Sequence, residues 1–203
     1  MNNLIKLTII GAAALWIAAA ATAGDERTEA VSLIKRDFHA KGIAGMDRLN
    51  EDGVQALCNR SHNQPPKDIA GRLEHDQLET IKYPADGKFL GDWKSGEKIA
   101  QDGSGMTFSD SATKANGGSC YNCHRIGPNE TSFGTLGASL HQFGKIRGYG
   151  ADVQKYVYGK IYNAKAFNLC SNMPRFGHSG TLTEKQIKDL VALLLDPNSP
   201  VNK

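Results

Sequence analysis

The residues best suited to chemistry are Cys120-Tyr121-Asn122-Cys123-His124. Two cysteines three positions apart, with a histidine directly after the second, make the signature for covalent attachment of a c-type haem. On a helix, positions i, i+3 and i+4 share one face. The Cys120 and Cys123 sulfurs can then form thioethers to the two vinyl groups of one porphyrin, while His124 reaches its iron. Two other chemistries use paired cysteines. A structural zinc site takes a second ligand pair, and the sequence has no other C-x-x-C. A thioredoxin-like dithiol follows a buried strand, and Asn116-Gly117-Gly118-Ser119 ahead of Cys120 is no such strand. The spacing favours haem c, one per chain.

An iron held by His124 has a second axial position. Met46, Met106, Met173, His141, His178 and Cys170 carry donor atoms for it. The ligand must reach the opposite face of the ring, so it belongs on a segment well separated from the attachment stretch. Met106 lies on the chain still approaching Cys120. Met173 lies on an irregular loop between two expected helices, next to Pro174, where its sulfur can turn inward without breaking a helix. Met173 is therefore the favoured axial ligand; plain core packing is the other use of such a methionine. Methionine opposite histidine raises the potential, and two filled axial positions leave no open site for substrate. The expectation is a haem that passes electrons. The second ring nitrogen of His124 should donate to a backbone carbonyl from the stretch 134–140. Arg147 or Arg175 could pair with a propionate, or be solvated.

Cys58 and Cys170 remain. In an oxidising compartment two spare cysteines read as a disulfide. This one would close a long loop, contribute about 3–5 kcal/mol in the chain-entropy model, and clamp the Met173 loop. A free thiolate at Cys170, or a bridge to a partner subunit, are the alternatives.

The compartment follows from the start of the chain. Lys6 precedes an apolar run over 7–21, which ends in Ala21-Thr22-Ala23 before Gly24-Asp25-Glu26. That is a secretory signal peptide with a small-residue cleavage site, and the run is short for a membrane anchor. Residues 1–23 are read as the leader, 24–90 as an N-terminal helical extension and 91–203 as the main domain. Removing Lys6 lowers the formal charge from +3 to +2. With no polybasic cluster, nucleic acid is an unsuitable partner. No later apolar run could span a bilayer, so the mature chain is expected to be soluble, and the cleaved leader directs it to the periplasm.

The elements around the motif read as helices. Apolar residues recur at helical spacing over 25–41, with Gly42 as a C-terminal cap; from Asn50, read as a cap, through Cys58; and over 67–80. His39, His62 and His75 read as solvated. Trp93, Gly96, Ile99 and Ala100 mark a helix whose glycine suits a close crossing. Residues 102–118 read as a loop, and the glycine-rich stretch 126–150 as an irregular wrap around a flat group. A helix over 152–162 follows. Thr183 with Gln186 makes a capping box and Leu182 with Ile187 a hydrophobic staple; Pro197 stops the last helix. The fold class is all-α.

Several stretches together resemble the SoxX family, the monohaem subunit of the SoxAX cytochrome of bacterial thiosulfate oxidation. They are Gly91-Asp-Trp-Lys94 with Gly96-Glu-Lys-Ile-Ala100, Gly117-Gly-Ser-Cys-Tyr-Asn-Cys-His124, Gly134-Thr-Leu-Gly-Ala-Ser-Leu140 with Tyr149-Gly150, Ile161-Tyr-Asn163, and Cys170-Ser-Asn-Met-Pro-Arg-Phe-Gly-His178 running on through Leu182 to Leu190. The resemblance covers about 90–203 and implies a class I cytochrome c fold, covalent haem at Cys120 and Cys123, and axial ligands His124 and Met173. It implies a heterodimer with a SoxA-type subunit that joins thiosulfate to a cysteine of a SoxYZ-type carrier. This chain would relay the electrons to a small soluble cytochrome c. The chain departs from the family at Ala138, where Gly-Pro-Ser-Leu is usual; a freer φ there puts the hydrogen bond to His124 in question. A free-standing periplasmic electron shuttle is the alternative function, and a haem enzyme with a labile sixth ligand a third. Cleavage after Ala23 gives a testable expectation: N-terminal sequencing of the exported protein should begin at Gly24, and a retained Met1 would refute the leader.

Overall fold

The computed structural model describes residues 26–203. The leader expected over 1–23 lies outside the described residues. Among those described there is no β-strand, one isolated bridge joins Lys41 to Ala44, and the class is all-α. None of the described helices is long and apolar enough to cross a membrane. The chain divides into two compact units, Met1–Asn50 and Glu51–Lys203.

In the first unit, helix α1 covers 26–37, ending short of the expected 41. Gly42, with φ of 55°, sits in a turn closed by reciprocal Lys41–Ala44 hydrogen bonds and caps no helix. Leu33, Ile34 and Phe38 stay exposed. Met46–Leu49 form one 3₁₀ turn.

The second unit contains α2 (Gly53–Arg60), α3 (Lys67–Glu79), α4 (Trp93–Gln101), α5 (Phe143–Arg147), α6 (Ala151–Tyr162) and α7 (Glu184–Leu195). Asp52, not Asn50, caps α2: its carboxylate accepts from Gln55 N while the Gln55 side chain accepts from Asp52 N. A carboxylate does this better than a carboxamide beside the positive end of the helix dipole. The Thr183–Gln186 capping box opens α7. Ile187, Leu190, Val191 and Leu194 are buried, but so are Ala192, Leu193 and Leu195, because α7 is enclosed on most sides.

α4 crosses α7 at Gly96. A Cβ there would overlap the backbone carbonyl of Asp189 and press on Leu193. Asp189 itself is 2% exposed. Its carboxylate accepts from Asp92 N at 2.9 Å and pairs with Lys185 at 2.7 Å, while Gly91 N donates to Lys188 O at 3.0 Å. The main core gathers Tyr158 and Ile161 of α6, Leu190 to Leu195 of α7, Ile126 and Tyr121.

A second, smaller cluster holds Val54, Cys58 and Leu169, with Leu73 and Cys170 against it. Here Cys58 and Cys170 are joined, with Cα atoms 5.5 Å apart, inside the range a disulfide spans. The loop 163–178 is also tied to α3: Asn163 Nδ2 donates to Thr80 Oγ1 and Gln77 Oε1, and Leu169 N donates to Glu74 Oε1.

Two glycines test the account of the crossing. Gly96→Val should destabilise by about 3 kcal/mol or more, because the clash is with backbone. Gly71→Ala, in α3 with open space around it, should stabilise by roughly 0.5–1 kcal/mol. Urea denaturation of both variants reads the two signs.

Candidate functional site

Cys120–Asn122 form a single 3₁₀ turn and not the longer helix expected. Ser119, with φ of 49°, blocks helical continuation on one side, and the glycines before it cannot add turns. The local geometry is still helix-like: Cys123 N and His124 N both donate to Cys120 O, at 3.1 and 2.9 Å. Cys120 and His124 therefore stand one turn apart.

The turn is hung from α4. Gly118 N donates to Ile99 O at 2.8 Å, and Ser119 N to Asp102 O at 3.0 Å. Tyr121 OH donates to Glu97 Oε1 at 3.0 Å and accepts from Gly127 N at 3.1 Å. Burial, and next the Glu97 charge, push the Tyr121 phenol well above its ordinary value, so it remains a donor.

The stretch 134–140 lies alongside the motif. Gly134 N donates to Tyr121 O, Gly137 N to Cys123 O and Leu140 N to Arg125 O, each at 2.8 Å. A side chain at Gly134 would overlap Asn122 O, and one at Gly137 would enter the His124 ring. The ring lies against bare backbone, and its Nδ1 is 2.7 Å from Ala138 O. A carbonyl can only accept, so Nδ1 carries the proton and the Nε2 lone pair is left for another partner. The alanine that puts this bond in question still supplies its carbonyl.

Cys120 and Cys123 are both free thiols. Burial pushes the Cys120 thiol up to about 12, the reverse of the depressed value of a redox-active dithiol. Among the described residues no group of three or more His, Cys, Asp or Glu side chains converges on a metal position, and a structural zinc ion takes four ligands. A c-type haem asks less of the side chains: two free thiols and one imidazole with a fixed tautomer, which Cys120, Cys123 and His124 supply. His141 Nδ1, directly after the stretch 134–140, is buried without a hydrogen-bond partner, an unmet polar atom of the kind that marks a ligand-facing position.

The candidates for the second axial position are scattered. Met46 is exposed in the first unit. Met106, with φ of 67°, accepts from Thr181 Oγ1 at its sulfur, 3.5 Å away. The loop approaching Cys120 thus reaches the segment that follows Met173, which chain order alone did not suggest. The Cys170 sulfur is bonded to Cys58. His178 is exposed. Met173 is half-buried and packs against the main core, with its N donating to Ser171 Oγ at 3.2 Å. Arg175, a candidate for a propionate, pairs with Asp52 and reaches Gln77 Oε1.

Tyr121 and Glu97 carry no sequence signal as supports of the motif, whereas the carbonyl of Ala138 lies within the stretch 134–140 expected to face His124. The cluster of glycines at 117, 118, 134 and 137 was the available signal, since each marks a close backbone approach.

No protein-family model matches the chain. An uncharacterized lipoprotein of Aquifex aeolicus (strain VF5) is 36% identical over 173 residues, which cover 83% of this chain and 79% of the relative. At that identity and coverage, the chain belongs to the same family as the Aquifex aeolicus lipoprotein.

Proposed function

We propose that the chain is a c-type cytochrome of class I fold that acts as the electron-relay subunit of a periplasmic SoxAX-type heterodimer. The observation that carries the reading is the His124 ring, held by Ala138 O against Gly137 with Nε2 free, one turn from two free cysteines. Cys120 and Cys123 would hold a haem by thioethers, and His124 would be one axial ligand. Met173 would be the other, on a loop anchored by the Cys58–Cys170 disulfide and the Arg175–Asp52 pair. Bound there, the haem supplies one-electron exchange between ferrous and ferric iron.

The chain's own residues orient that group and insulate it. The carbonyl of Ala138 strengthens the imidazole as a ligand by accepting its other N–H. Tyr121 and Glu97 fix the attachment turn on α4.

In the proposed complex, thiosulfate sulfur bonds to the sulfur of a SoxYZ-type carrier cysteine on the SoxA-type partner. The cysteine S–H bond breaks, one proton leaves, and two electrons pass singly through this chain to a small soluble cytochrome c. The sequence resemblance over 90–203 supports these partners.

The name of the Aquifex aeolicus relative speaks for export to the cell envelope. Cleavage after Ala23 and release into the periplasm is the proposed route.

Three experiments test the reading. The mature protein should carry the mass of one covalent haem, lost on replacing both Cys120 and Cys123 by alanine. The oxidised protein should absorb weakly at roughly 695 nm, where methionine-ligated ferric haem does. That band should vanish in Met173→Ala and persist in Met106→Ala; the reverse pattern would move the ligand to Met106. Copurification with a cytochrome partner from thiosulfate-grown cells supports the subunit role, and purification alone supports a shuttle. Separately, Gly137→Val should push the imidazole off Ala138 O. Ferrous Gly137→Val protein should have a perturbed visible spectrum and a raised reduction potential, because an imidazole without that acceptor donates less to ferric iron, or fail to retain haem, while Gly71→Ala leaves the spectrum unchanged.

A further inference from the structure

Between α2 and the segment 165–179 lies a surface cavity of about 400 Å³. Its wall includes Lys165, Arg175, Asn59, Asn63, Ser171 and Asn172. The two cations differ in their surroundings. Arg175 is matched by the Asp52 carboxylate. Lys165 is 7% exposed, and its Nζ has one partner, the neutral carbonyl of Leu169 at 3.0 Å. Among the described residues no carboxylate lies within ion-pair distance of it. An ammonium has three N–H donors, so two remain uncommitted.

Lysines are almost never fully buried unless paired, because desolvation of the charge must be repaid. The Asn163 side chain caps the turn Ala164–Ala166, and the neighbouring alanines are buried. The stem of Lys165 is thereby held inside the loop, and the residue lines the cavity. The one carboxylate on the wall, Glu51, belongs to an exposed residue at the start of the unit, where solvent screens it.

We propose that this cavity binds a small oxyanion of the sulfate type, with Lys165 as its counter-charge and the amides and hydroxyl of Asn59, Asn63, Asn172 and Ser171 as further donors. Such an anion supplies several acceptor oxygens to a donor-rich wall, and charge-assisted hydrogen bonds are the stronger kind. Burial, and next the Arg175 charge, push the Lys165 ammonium below its ordinary value, with Asp52 acting the other way. A bound dianion would reverse that balance. The site is independent of the haem reading, because none of its donors belongs to the attachment motif.

The test is calorimetric titration of the purified mature protein with sodium sulfate, against sodium chloride at equal ionic strength. The expected result is saturable one-site binding of sulfate, with a Kd on the order of 1 mM, and none of chloride. Lys165→Met should weaken sulfate binding at least about tenfold, and Lys165→Arg should restore most of it. No saturable binding in the unaltered protein overturns the proposal, whether or not Lys165→Met folds. Equal binding by Lys165→Met overturns it as well, since sulfate acting by exclusion from the surface would treat both proteins alike. Sulfate binding by protein that carries no haem would strike the cytochrome reading and uphold this one.

Discussion

The contact on which the second unit is built is the crossing of α4 over α7, where Gly96 rests on the backbone of Asp189. Two helices approach this closely only where a side chain is missing from one of them. Once they meet, Asp189 is taken out of water, and its carboxylate must find donors. It finds Asp92 N at the start of α4 and Lys185 one turn away on its own helix. The charge then fixes the register of the crossing, because a slide along α7 would strand it.

The Cys120–Asn122 turn inherits its place from that crossing. Glu97 sits one residue beyond Gly96 and receives the Tyr121 hydroxyl; Ile99 O receives Gly118 N. From the other side the stretch 134–140 is stitched to the turn by three backbone hydrogen bonds, possible only because Gly134 and Gly137 bring no side chain between the two segments. The outcome is chemical as well as steric. A ring pressed on backbone, with a carbonyl at one nitrogen, has one tautomer and one free lone pair. That geometry is what the proposed haem ligation would use.

The loop that follows α6 is ordered by residues far away in the chain. The loop carrying Met173 is bonded to α2 through Cys58, paired to the α2 cap through Arg175, and hydrogen-bonded to α3 through Asn163 and Leu169. Helices α2 and α3 therefore work as a splint on that loop. Asp52 serves twice, accepting from the first turn of α2 and from the Arg175 guanidinium. The ordered loop is also what holds Lys165 inside, so the cavity beside it has a defined donor set.

Much of this could be read from the sequence where the governing interaction is short in range. The capping box at Thr183, the apolar stripe of α7, the glycine at the crossing and the Cys-x-x-Cys-His spacing are each local patterns, decided within one or two turns by hydrogen-bond reach and helical period. Local patterns misled where two choices stood side by side. Asn50 and Asp52 are both good caps, and the pairing of Asp52 with Arg175 favours the second. The glycines near 144 argued against helix, yet Phe143–Arg147 forms one, held by Gly144 N donating to Asn202 Oδ1 from the far end of the chain. Tertiary structure alone decided that Met106 reaches Thr181 and that Lys165 is buried with no carboxylate within ion-pair distance. The reason is that a polar atom's partner depends on which segments are brought together and at what depth from water, and neither is encoded in the residues beside it.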